Sequence, residues 1–230
     1  MIASLAVAAL ACASPKENGT ARSAVSTEST TVARAPATHS TARPRLLFLG
    51  TSLTAGLGLD PDSAYPAVVQ RLAAKDGFAV EVVNAGLSGE TSAGALRRAD
   101  WLLTQSLAIV VIESGANDGL RGLDPDSTAA NLGALIAKMR AAQPRAAIVL
   151  AQMEAPTNLG PSYQRRFHAV YGAVAAKSGV RLMPFLLNGV GGHPDLNQDD
   201  GIHPTAKGAR LVAANVYKTL RSVLDSATKR

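Results

Sequence analysis

Short apolar runs recur along the chain at Leu46–Leu49, Val80–Val83, Leu107–Ile112, Ala146–Leu150 and Val180–Met183. Each is too short for a helix and rich in leucine or β-branched residues, the pattern of strands buried on both faces. Between them the period changes to that of a helix. Tyr65, Val68, Val69 and Leu72 share one helical face; so do Leu132, Leu135, Ile136 and Met139, in a segment opened by Asp124 before Pro125 and closed by Pro144. A final helix starts near Pro204 and turns Val212, Ala213, Val216, Leu220 and Val223 inward. Alternating strands and helices with short connections predict an α/β fold: a parallel sheet of about five strands covered by helices on both faces, α/β/α in three layers.

The N-terminal end has neither period. Ile2 to Ala11 is a continuous run of apolar and small residues, the length of a signal-peptide core and too short to span a bilayer. Ala11 and Ala13 fit an A-x-A cleavage site, whereas Ala9–Cys12 (ALAC) resembles a bacterial lipoprotein box in which Cys12 becomes lipid-modified. Residues 14–44 are Ser, Thr, Ala and Pro with scattered charges, the composition of a disordered linker. The expected organisation is thus a signal over 1–13, a linker over 14–44 and one folded body over 45–230, exported to the periplasm or beyond and monomeric. With 230 residues and 47% hydrophobic content the chain can bury one sizeable core. Its single cysteine excludes an intramolecular disulfide.

Charge changes this picture little. The formal net charge is +6, and half of it lies before Leu46, where Lys16, Arg22, Arg34, Arg43 and Arg45 face only Glu17 and Glu28. No basic cluster interleaved with aromatics follows, which argues against nucleic acid as a partner.

In open parallel sheets, ligands bind beyond the carboxyl ends of the strands. Polar, glycine-containing stretches follow the first three predicted strands: GTSLTAG from Gly50, NAGLSGETSAG from Asn84 and SGANDGLRG from Ser114. A fourth, DDGIHPTAKGA from Asp199, enters the last helix. Ser52 would stand at a strand end beside a helix N-terminus, and a serine hydroxyl needs a base that is itself oriented. Asp200 and His203, three residues apart in a tight turn before Pro204, are the pair with that local logic. The Ser52 and Gly86 amides and the Asn117 side chain are candidate donors to an oxyanion.

Taken singly, each element has a structural explanation: Ser52 as a helix cap, Gly86 as a tight turn, Asn117 and Asp118 as loop residues capping their own backbone, His203 as a surface side chain. His39, His168 and His193 lack a comparable partner, and no spacing pairs Glu90, Glu113 or Glu154, so metal or two-carboxylate chemistry is not indicated. A phosphate- or flavin-binding use of GTSLTAG is the reading from another class; it lacks a GKS or GKT ending and leaves DGIHP without a role. A non-catalytic envelope protein is a third.

Together, GTSLTAG, NAGLSGETSAG, GAND and DGIHP resemble the four sequence blocks of SGNH hydrolases, also called GDSL esterases and lipases, and most of all the bacterial periplasmic thioesterase, lysophospholipase and arylesterase branch. The likeness covers roughly Arg45 to Leu224. It implies a flavodoxin-like fold and a serine ester hydrolase with no metal or organic cofactor. It also implies Ser52 as nucleophile, His203 as base and acid, Asp200 as its orienting partner, and Gly86, Asn117 and the Ser52 amide as oxyanion hole. Carboxylic esters or thioesters are the implied substrates, sugar O-acetyl groups the alternative. Thr51 stands where the family usually has aspartate, and Ser114 and Ala116 also depart from its pattern.

Overall fold

The computed structural model describes residues 43–228. The signal, Cys12, His39 and nearly all of the linker lie outside the described residues. Five strands form one parallel sheet: β1 (Arg45–Gly50), β2 (Glu81–Gly86), β3 (Ile109–Ile112), β4 (Ala147–Ala151) and β5 (Arg181–Met183), in the order β2-β1-β3-β4-β5. The helices are α1 (Ser52–Ala55), α2 (Tyr65–Lys75), α3 (Ser92–Leu102), α4 (Ala116–Leu120), α5 (Pro125–Ala142), α6 (Gly160–Ser178) and α7 (Ala206–Thr228). α2 packs on α7, and α3 and α6 both pack on α5, giving the helix layers on the two sides of the sheet. Among the described residues no helix is long and apolar enough to cross a membrane.

β1 is an interior strand, paired with β2 on one side and β3 on the other, and its Leu46, Leu47, Phe48 and Leu49 have no exposed surface. Phe48 meets Tyr65 of α2 edge-on at 5.5 Å, an arrangement suited to the ring quadrupoles. Leu132, Leu135, Ile136 and Met139 of α5 are buried as their spacing predicts. The chain leaves β1 for β2 at one edge and returns past β1 to reach β3, so the order reverses between β1 and β3. A crevice opens at such a switch point, at the carboxyl ends of the strands.

β2 differs from expectation. It continues through Asn84, Ala85 and Gly86, residues read above as loop, because its register with β1 runs on to Gly50↔Gly86. It is also an edge strand, with Glu81 and Asn84 exposed, and so is not buried on both faces.

Candidate active site

The first strand ends where the nucleophile candidate begins. A Cβ at Gly50 would collide with Thr54 Oγ1 and with the Glu113 carboxylate, so only glycine allows this close approach. Thr51 caps α1, its Oγ1 accepting the Leu53 N–H at 3.5 Å, and Gly56 ends the single turn in a left-handed conformation at φ 76°. Ser52, the first residue of the turn, has an N–H with no intrahelical acceptor.

Ser52 Oγ lies 2.8 Å from His203 Nε2, and His203 Nδ1 lies 2.6 Å from Asp200 Oδ2. Residues 151 positions apart therefore form one relay. Asp200 is oriented by its own turn: Oδ1 accepts the Ile202 and His203 amides, each at 2.9 Å. These bonds, the His203 amide foremost, then the imidazole and the Ile202 amide, hold the Asp200 carboxyl down at about 2. With the carboxylate on Nδ1–H, Nε2 is left as the acceptor facing the serine. The turn is tied to the rest of the site by Gln198, whose Nε2 donates to Leu57 O at 2.7 Å and to Pro204 O at 3.0 Å.

Asn117 sits on α4 behind Gly115, whose φ of 100° and contact with the Tyr171 hydroxyl exclude any side chain. Its Nδ2 donates one hydrogen to Glu90 O at 3.0 Å, leaving the second amide hydrogen for another acceptor. The neighbouring Asp118 anchors α4 by accepting from the Ser92 amide at 2.8 Å, from the Ser92 hydroxyl and from Thr128 Oγ1 at 3.3 Å.

Gly86 is not placed as the sequence suggested. Leu87 N–H donates inward to Gly50 O at 2.8 Å, so the preceding N–H in the strand points outward, and Gly86 donates to Asn84 Oδ1 at 2.9 Å. Its N–H is thus turned to the open edge of the sheet and already bonded. Glycine is required there for another reason: a Cβ would strike the Ala55 backbone nitrogen under α1. Gly89, which no sequence expectation above names, has φ 76°, is exposed, and adjoins the carbonyl that Asn117 holds. Arg121 Nη2 donates to its carbonyl at 2.9 Å, while its N–H has no acceptor among the described residues. The SGE stretch preceding a capped helix was the available signal.

The three acids that spacing left unpaired all have partners. Glu90 binds Arg98 through both oxygens, at 2.6 and 2.7 Å, and Arg98 Nη2 also donates to Ala85 O at 2.7 Å and Gly50 O at 3.3 Å. Glu113 receives the Thr51 and Thr54 groups from below the nucleophile. Glu154 Oε1 lies 2.7 Å from His168 Nδ1, so His168 does have a carboxylate partner, but its other ring nitrogen meets no hydroxyl among the described residues. An apolar pocket lined by Leu57, Leu59, Tyr65, Leu186 and Leu187 opens beside Ser52 and His203. Among the described residues no group of three or more His, Cys, Asp or Glu is placed to hold a metal ion.

A three-layer α/β/α fold carrying a serine, histidine and aspartate in hydrogen-bonded sequence at its switch point defines a serine hydrolase. The particular family is shown by comparison: residues 48–211 match the GDSL-like Lipase/Acylhydrolase family, to which the chain belongs. The chain is 43% identical over 188 residues to Esterase TesA of Pseudomonas aeruginosa, covering 81% of this chain and 92% of that protein. It is 36% identical over 181 residues to Thioesterase 1/protease 1/lysophospholipase L1 of Escherichia coli strain K12, covering 78% and 85%. The crystal structure of the psychrotrophic esterase EstA from Pseudoalteromonas sp., inhibited by monoethylphosphonate, superposes with a TM-score of 0.74 at 35% identity, covering 79% and 98%. The protein is an SGNH-type enzyme acting on ester bonds.

Proposed function

We propose that Ser52 is the nucleophile of a carboxylic ester and thioester hydrolase, with His203 as general base and acid and Asp200 as the group that orients it. The single observation that carries this is the continuous relay of 2.8 and 2.6 Å from Ser52 Oγ through His203 to Asp200. Ser52 Oγ attacks the acyl carbonyl as its proton passes to His203 Nε2; Asp200 stabilises the resulting imidazolium without itself taking the proton. The negative charge on the former carbonyl oxygen is received by the Ser52 N–H, the free hydrogen of Asn117 Nδ2 and the unbonded Gly89 N–H. Gly89 takes the place first given to Gly86, because an outward, bonded N–H offers nothing to an oxyanion. His203 then protonates the leaving oxygen or sulfur, the tetrahedral intermediate collapses to an acyl-serine, and a water deprotonated by the same nitrogen releases the acid.

The pocket of Leu57, Leu59 and Leu187 beside Ser52, with Leu120 exposed at the end of α4 and Leu123 exposed just beyond it, supports an apolar acyl or aryl group in the substrate. The Ile2–Ala11 run supports export, and ALAC supports attachment to a bacterial membrane through a lipidated Cys12; mass spectrometry of the mature N-terminus tests both. Hydrolysis of p-nitrophenyl acetate, butyrate, octanoate and palmitate by the protein and by Ser52→Ala tests the activity. Turnover that vanishes with Ser52, together with covalent labelling by a fluorophosphonate at Ser52, is the expected result. Equal turnover in Ser52→Ala overturns the assignment.

A further inference from the structure

The Glu113 carboxylate takes no part in the serine–histidine–aspartate relay, yet it grips the residue before the nucleophile. It has no exposed surface and follows the last residue of β3. Its Oε2 accepts the Thr51 N–H at 2.7 Å and the Thr54 hydroxyl at 2.9 Å, and the Thr51 hydroxyl lies 3.0 Å from both of its oxygens. A second ring of bonds supports these: Leu53 N–H donates to Thr51 Oγ1, and Thr54 Oγ1 shares a hydrogen with the Tyr65 hydroxyl at 2.7 Å. The donor count is informative. Three hydrogens converge on the carboxylate, and one of them, the Thr51 N–H, can only donate. That is the set an anion requires. Gly50 lacks a side chain because the contact between Thr54 and Glu113 occupies the place of its Cβ.

These bonds fix the Thr51 peptide and side chain together, and the next peptide plane carries the Ser52 N–H. A rotation there would swing both the amide and the Oγ away from His203. Burial works against the anion and pushes the Glu113 carboxyl up to about 7, with the Thr51 amide and the two threonine hydroxyls pulling the other way. The titratable groups around it are Tyr65 of α2 and Tyr171 of α6, both pushed up by burial and therefore neutral; Tyr171 also feels Asp118 of α4. Arg98 of α3 reaches the Gly50 carbonyl at 3.3 Å. An aspartate at position 51 would set a second carboxylate beside this one, and like charges at such a distance must share a proton. Threonine brings its own.

We propose that Glu113 is a positioning residue which, as a carboxylate, holds Thr51 and so aims the Ser52 amide and hydroxyl, and that the Thr51 hydroxyl is the donor that maintains this state. The proposal rests on the role of Ser52 given above, and the experiment separates the two. Full-length protein, Ser52→Ala, Thr51→Val, Thr51→Ser and Glu113→Gln are assayed on p-nitrophenyl butyrate across pH 5–9, with active sites counted by fluorophosphonate labelling. Residual turnover in Ser52→Ala would sink the site assignment itself. With that turnover abolished, Thr51→Val and Glu113→Gln are expected to lose about tenfold or more in kcat per active site at nearly constant KM, as misplaced reacting groups do. Thr51→Ser keeps the donor and stays close to the parent protein. Thr51→Val should also move the acid limb of kcat to higher pH, since a lost donor favours the protonated carboxyl. Loss of packing alone would lower thermal stability but leave kcat per active site and its pH profile unmoved. The proposal is overturned if Thr51→Val and Thr51→Ser give the same kcat at every pH, and this pair decides the matter even where Glu113→Gln fails to fold.

Discussion

Replacing Asp200 by asparagine is the sharpest test of how the site is oriented, because the two carboxylate oxygens do different things. Oδ1 accepts two backbone amides, from Ile202 and His203, while Oδ2 accepts from His203 Nδ1. An asparagine can satisfy only one of these demands. With its carbonyl toward the amides, its NH₂ faces Nδ1, the ring must carry its proton on Nε2, and Nε2 can no longer take the serine proton. Flipped, its NH₂ opposes two backbone N–H groups and the turn loses both bonds. In the serine-protease triad the corresponding replacement lowers kcat about ten-thousandfold. Here the Asp200 side chain is 45% exposed, so water screens the lost charge and the tautomer effect is what remains. We expect a fall in kcat between about 100-fold and 10,000-fold with little change in KM, measured on p-nitrophenyl butyrate at pH 8. A loss below about tenfold would refute the orienting role, since it would mean that Nε2 stays unprotonated without the carboxylate.

Asn117→Ala should lower kcat by about 100- to 1000-fold while leaving fluorophosphonate-sensitive Ser52 in place, because it removes one preorganised oxyanion donor; an unchanged kcat would exclude Asn117 from that role. Arg98→Met strips the partner from Glu90, whose side chain is only 4% exposed, and removes the guanidinium donor from the Ala85 and Gly50 carbonyls. A loss of roughly 3–5 kcal/mol in urea unfolding is expected, as for other broken buried pairs, and a change under about 1 kcal/mol would show the pair to be well hydrated. Asp200 also predicts a pH effect of definite sign. Its folded-state value of about 2 lies below the ordinary 3.8, so its contribution to stability is present above pH 3.8 and is lost as pH falls through about 2. Thermal melts of the parent and Asp200→Asn proteins should therefore converge towards pH 2, and a gap that widens on acidification would contradict the bonding described. Glu113 carries the opposite sign: its value is raised from 4.5 to about 7, so the contribution is fullest below 4.5 and declines as pH rises to about 7. Melts of Glu113→Gln relative to the parent should shift in favour of the glutamine over that interval.

Part of this molecule is written locally and part is not. Leucine and β-branched runs at Leu46–Leu49 and Leu107–Ile112 specify buried strands because burial on both faces needs an unbroken apolar stretch. The Asp200–His203 pair is equally local: a three-residue turn ahead of Pro204 brings carboxylate, amides and imidazole together without help from the rest of the chain. Ser52 was legible through its place between a strand and a helix. Gly86 was not, because whether a strand N–H points into the site or out of it depends on register with β1, and register is settled by pairing. The role proposed for Gly89 was hidden for a related reason, since it rests on a backbone conformation and on the carbonyl that Asn117 holds next to it. Glu113 and Thr51 meet across 62 positions only because β1 and β3 are neighbours in the sheet, and Glu90 finds Arg98 only once α3 has folded back over the ends of β1 and β2. Chemistry carried by side chains within one turn was determined by the sequence alone; donors supplied by the backbone, and carboxylates held from another strand, were decided by the tertiary structure, because their partners are chosen by packing.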